Sequence, residues 1–196
     1  MKMNKELSKR TAIFDSEFKT RAVEDKKIIE GYFVVYNERT ELWPGVYEEI
    51  SDKALLSSLE TNDIRCLFNH DSNIVLGRTG NNTLTLTSDD YGLKGAVEIN
   101  ENDREDNQAL DIYHRIERGD ISSCSFGFFP TKETRHDEED GSVRYVVEEG
   151  NIIEVSPVAF PAYPTTQIEA RKSQLEKSNE AFERRKKALL TKLKGE

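Results

Sequence analysis

NTLTLTSDDYGLKGAVEI, residues 82–99, decides the class of fold. Leu84 and Leu86 alternate with Thr85 and Thr87, the period of two expected of a half-buried strand. GLKGAVEI, residues 92–99, reads as another short strand. Upstream, IRCLFNH (64–70) is a strand candidate that closes on a histidine. Before it, IIEGYFVVYNERTELWPGVYEEI (28–50) is rich in Ile, Val, Tyr and Phe and is broken by Asn-Glu-Arg and Pro-Gly, which predicts strand, loop, strand. Between them, SDKALLSSLE (51–60) opens with Ser and Asp before an apolar run, the pattern of a capped helix start.

Downstream, DREDNQALDIYHRIERGD (103–120) predicts a helix. Ala109, Ile112, Tyr113 and Ile116 share one helical face, and Gly119 is the expected stop. ISSCSFGFFPTKETR (121–135) predicts a strand ended by Pro130. HDEEDGSVRYVV is an acidic turn leading into a further strand, and GNIIEVSPVAFPAYP a last one that breaks up at prolines. The first twenty residues read as a loosely held polar arm. Residues 166–196 differ from the rest: nine Lys/Arg against five Asp/Glu, with Leu175, Phe182, Leu189, Leu190 and Leu193 at roughly helical spacing. The expected organisation is an arm over 1–20, a β-rich domain over 21–165 and a basic amphipathic helical tail over 166–196. The fold class is mainly β with helices (α+β).

Composition narrows the function. The chain has 196 residues, 36% hydrophobic and 33% charged, with a net charge of −9. A strongly acidic balance argues against a general nucleic-acid binder, which displaces counterions with basic surface. No apolar run approaches the roughly 20 residues that span a membrane, and the N-terminus has no apolar core of a secretory signal. Cys66 and Cys124 lie in apolar stretches and read as small buried hydrophobes, which predicts an intracellular setting without disulfides.

Three residues invite chemistry. His70 is either an ordinary polar residue at a strand end or a general base, the side chain whose unperturbed pKa lies near neutrality. Ser125 sits in an apolar strand between Cys124 and Phe126, with Gly127 two places on. It is either a satisfied hydroxyl, with Gly127 as a bulge, or a nucleophile with Gly127 permitting close approach of a substrate backbone. Glu154, between Ile153 and Val155, either faces solvent on an alternating strand or accepts a hydrogen bond that orients an imidazole. Unpaired and buried, it would be costly. A zinc reading of Cys66, His70, His114 and Cys124 lacks knuckle spacing. Cys124 as nucleophile would point to the strand face opposite Ser125.

LFNHD with LGR a few residues later, GDIS before SFGF, and the closing EVSPVAFPA, in that order over roughly residues 20–170, resemble the prohead maturation serine proteases of tailed bacteriophages. That family is related in fold to the herpesvirus assemblin proteases. The resemblance implies a small closed β-barrel ringed by helices, with His70 as base, Ser125 as nucleophile and Glu154, with Asp71 behind it, as third member. His114 and His136 fit that third role poorly. Ser123 stands where the family commonly has Gly. Arg78 and Arg118 are possible oxyanion donors. The implied activity is a serine endopeptidase needing no metal or cofactor. Its implied substrates are the scaffold segment of the major capsid protein and the protease itself, cut inside the assembling procapsid in the host cytoplasm. Dimerisation follows by analogy. The basic tail suits docking to an acidic helical segment, or is simply a solvated helix. The competing expectation is an inactive procapsid scaffold or binding module with the same fold.

Overall fold

The computed structural model describes residues 9–15, 18–23, 26–100 and 107–160, together with Arg184, Lys187 and Thr191. In chain order the elements are β1 (Arg10–Asp15), β2 (Lys19–Val23), β3 (Lys26–Val35), β4 (Thr40–Trp43), β5 (Val46–Ile50), α1 (Leu56–Thr61), β6 (Arg65–Phe68), β7 (Asp71–Arg78), a 3₁₀ turn (Thr79–Asn81), β8 (Leu84–Ser88), β9 (Gly92–Asn100), α2 (Asn107–Glu117), β10 (Ser123–Asp137) and β11 (Val143–Val158).

The period of two over residues 82–99 is kept. Leu84 is buried while Thr85 and Thr87 face solvent, and Leu93, Val97 and Ile99 of the antiparallel partner β9 are buried. α2 also forms as its spacing requires, with Ala109, Ile112, Tyr113 and Ile116 all buried. It stops where Gly119 adopts φ +83° and donates to the Ile116 carbonyl, a left-handed helix end that costs glycine nothing.

The strands form two sheets. One has the order β2-β3-β9-β8. The other has β1-β10-β11-β5-β4, with β6 also on β11 and β7 on β6. The sixteen-residue β11 explains the branch: its first part pairs parallel with β5 and its later part, Glu154 and Val155, pairs parallel with β6. One hydrophobic core joins the two sheets. Phe33, Val34 and Val97 come from the first, and Phe126, Phe128 and Val155 from the second, with the buried face of α2 packed among them. Phe126 and Phe128 stack at 4.9 Å, and burial of such a ring is worth about 1.5–3 kcal/mol.

Several expectations need correction. The sheets do not close into a barrel. Among the described residues no ladder joins the two sheets, which share one hydrophobic core. The predicted strand end at Pro130 is instead an irregularity inside β10. Proline lacks the N–H of a ladder bond, and the register slips between Pro130 and Lys132, after which pairing resumes to Asp137. The two strands expected around residues 143–164 are the single strand β11. The helix expected from Ser51 begins only at Leu56 with no side-chain cap, because backbone groups before it are tied to β11: Ser51 N–H donates to the Val147 carbonyl, and Gly150 N–H to the Ala54 carbonyl.

Part of the expected arm is a strand, β1, paired along β10. The chain divides into two compact units, Met1–Ala162 and Tyr163–Glu196. The basic helical tail expected over 166–196 is not supported, since it lies outside the described residues except for Arg184, Lys187 and Thr191. In the described residues no helix is long and apolar enough to cross a membrane.

Candidate active site

His70 sits in the two-residue turn of the β6–β7 hairpin, with Phe68 paired to Asp71 across it. Asn69 and His70 have φ of 51° and 61°. Two left-handed residues in succession are the pattern of a type I′ turn, which suits Asn followed by Gly. Asn69 obeys that preference. His70 stands where glycine would be cheaper, and a left-handed non-glycine residue costs on the order of 1 kcal/mol. Such local cost is tolerated where a side chain is needed. The turn is held against the end of β11 by two bonds. Asn69 N–H donates to the Pro157 carbonyl at 3.1 Å, and Ala159 N–H donates to Asn69 Oδ1 at 2.9 Å.

That clamp brings the imidazole back over β11, where His70 Nδ1 lies 2.7 Å from Glu154 Oε1. Glu154 is 3% exposed, so the solvent-facing reading of this residue fails. Its other oxygen accepts from the Ser156 hydroxyl at 2.7 Å, and Lys9 Nζ reaches Oε1 at 3.1 Å. Burial alone would push the Glu154 carboxyl up. The His70 bond and charge, with Lys9 and Ser156, outweigh it and hold the carboxyl below the ordinary carboxylate range. Because Nδ1 faces a carboxylate, it carries the proton in the neutral ring, and Nε2 is left as the acceptor.

Ser125 is on β10, fully buried, and directly opposite Ser156 of β11; Gly127 is opposite Glu154. Opposed residues of an antiparallel pair share a face, and so do residues two apart on a strand. The register therefore sets Ser125 and Gly127 on the face that carries Glu154 and Ser156. Cys124 and Phe126 lie on the other face, with the Cys124 thiol directed at the Tyr32 carbonyl at 3.1 Å. Ser123 pairs regularly with Val158, so a serine at this position does not disturb the strand.

Gly127 has a specific reason to lack a side chain. A Cβ there would lie 2.2 Å from Glu154 Oε1 and 2.5 Å from Lys9 Cε. The glycine clears space for the carboxylate that holds His70. Gly127→Ala is expected to push Glu154 off the imidazole and to lower turnover by roughly 10²-fold, the scale of a 1 Å misplacement in a catalytic array. A steady-state assay on a peptide substrate, with a melting curve to show that the fold persists, checks this; unchanged turnover would sever the tie between this contact and catalysis.

The other candidates lie elsewhere. Asp71 is exposed and caps its own turn by accepting from the Asn73 backbone N–H at 2.9 Å. Arg78 is bound to Asp63 and Arg118 to Asp120. His114 faces Glu117 on α2, and His136 is exposed opposite Arg144. The four residues of the zinc reading are dispersed, and among the described residues no group of three or more His, Cys, Asp or Glu is placed to hold a metal. Burial and the nearby Glu154 charge push the Cys66 thiol up, which keeps it inert.

Sequence reading missed two members of the network. Ser156 carried a legible signal, because a residue two places after Glu154 on a strand shares its face. Lys9 carried none, since it belongs to a segment expected as an arm.

A family model described as caudovirus prohead serine protease covers residues 16–181. No curated protein and no solved structure matches, and kinship with the herpesvirus proteases is not shown.

Proposed function

Because the chain belongs to the caudovirus prohead serine protease family, matching over residues 16–181, we propose that it is a capsid-maturation endopeptidase whose nucleophile, base and orienting acid are Ser125, His70 and Glu154. The observation that carries this reading is the 2.7 Å bond between His70 Nδ1 and a buried Glu154 that shares a strand face with Ser125.

In the proposed cycle Ser125 Oγ attacks the scissile carbonyl as His70 Nε2 takes its proton. The same proton then passes to the leaving amine. Water, activated by His70, releases the acyl chain and regenerates the serine. Glu154 stays ionised throughout, steadied by Ser156, and its charge stabilises the imidazolium formed in each half-reaction. The substrates are the scaffold segment of the major capsid protein and the protease itself, cut within the assembling procapsid in the host cytoplasm. The enzyme acts as a homo-oligomer.

A fluorophosphonate probe tests the chemistry without a known substrate, since it labels only an activated serine. The full chain is expected to gain one adduct, mapped to Ser125. His70→Gly, which suits the left-handed turn, is expected to fold and stay unlabelled. A folded wild-type chain that gains no adduct favours the inactive scaffold module instead.

A further inference from the structure

β10 has two edges beside Ser125. One is paired with β11, which supplies Glu154 and Ser156. The other is paired antiparallel with β1, which sets Ile13 opposite Ser125 and Thr11 opposite Gly127. A peptide reaching Ser125 in extended form has only this second edge to pair with, and recognition by strand addition uses such an edge. Ser125 itself has no exposed surface. A protease whose serine is fully covered has to uncover it before it can act on another chain.

The segment around β1 is held by its charged residues as well as by its ladder. Arg10 is buried and donates to Glu48 Oε2 at 3.2 Å and Glu133 Oε2 at 2.7 Å. Lys9 runs over Gly127 to Glu154 Oε1, the same oxygen that His70 uses. The Lys9 cation thus draws on the negative charge that would stabilise an imidazolium in the transition state.

Resting on the assignment of Ser125 as nucleophile, we propose that residues 9–15 are a built-in occupant of the substrate strand site, and that a peptide substrate binds by taking the place of β1 along β10. The substrate class follows from what β1 leaves behind. It is an extended peptide with a cationic side chain at the position of Arg10, three residues before the one that faces Ser125, received by Glu48 and Glu133. Release is within reach of ordinary fluctuation. A six-residue strand that pairs with β10 alone among the described residues belongs to the low-stability end of local opening. The competing account makes β1 a structural strand that merely covers the β10 edge.

The test uses the full chain with a site-specific protease sequence inserted at residues 16–17, cut only after folding. If the open form is about a tenth of the population, release of β1 is expected to raise the rate of fluorophosphonate labelling at Ser125 about tenfold. A synthetic peptide of residues 7–15 is expected to bring it back down, and the same peptide with Arg10→Ala to do so poorly. The intact double variant K9A/R10A, which keeps the β1 backbone but loses the contacts of Lys9 to Glu154 and of Arg10 to Glu48 and Glu133, is expected to label faster than wild type without any cut. Equal labelling of the intact, cut and double-variant forms overturns the proposal and leaves the protease reading standing. Folded protein that takes no label in any form overturns both.

Discussion

Ser125→Ala is expected to leave both the major capsid protein and this chain uncut when the two are co-expressed, where wild type trims both. Intact mass reads the result directly. Loss of a catalytic serine costs on the order of 10⁴–10⁶ in turnover, because base, orienting acid and binding site then have no nucleophile to act on. The variant should still fold. Ser125 is fully buried on β10 between the ladders of β1 and β11, and alanine keeps its volume and backbone bonds. Loss of one buried hydroxyl bond costs about 1–3 kcal/mol, well short of unfolding a typical domain. Identical processing by the two proteins would make Ser125 structural, and the scaffold reading would then take over.

Glu154→Gln is the second large effect. The carboxylate accepts from three donors: His70 and Lys9 at Oε1 and Ser156 at Oε2. A glutamine keeps the shape but can turn an N–H toward His70 Nδ1. The imidazole would then carry its proton on Nε2 and could no longer accept one from serine. A wrong tautomer of this kind costs about 10⁴ in kcat. If Glu154→Gln keeps its activity and Asp71→Asn loses it, the orienting acid is Asp71 instead.

The same substitution carries a pH signature. The Glu154 carboxyl is held below its ordinary range in the fold, so its contribution to stability is present above the unfolded value. It is lost as pH falls through that range toward the folded value. Wild type is therefore expected to lose melting temperature more steeply than Glu154→Gln between roughly pH 5 and 3. Glu30, Asp63, Asp89, Glu138, Asp140 and Glu148 are also held low, but all remain in both proteins, so only the difference between the two curves reports on Glu154. Parallel curves would mean that His70, Lys9 and Ser156 do not stabilise the ionised carboxylate.

Much of the local structure was legible because its signals are short in range. The Leu-Thr alternation of β8 and the apolar face of α2 each follow from a few neighbouring residues, as does the glycine stop at Gly119. The expectations that failed all turned on distant partners. Pro130 looked like a strand end, yet β11 keeps the ladder going past it. Ser51 and Asp52 looked like a helix start, yet bonds to β11 hold that backbone in turns. A barrel was expected from resemblance, and the two sheets remain open because closure depends on which edges meet.

The site divides in the same way. By itself the sequence determined which side chains merited attention, since a histidine ending an apolar run, a serine beside a glycine in a core strand and a glutamate among β-branched residues are each locally out of place. It also fixed their alternation on β10 and β11, because a strand has a period of two whatever it pairs with. Only the tertiary structure decided that His70 folds back onto Glu154 across 84 positions of chain, that Gly127 makes room for that carboxylate, and that residues 10–15 lie along the serine's own strand. Those relations depend on register between segments far apart in sequence, and register is settled by the whole core at once.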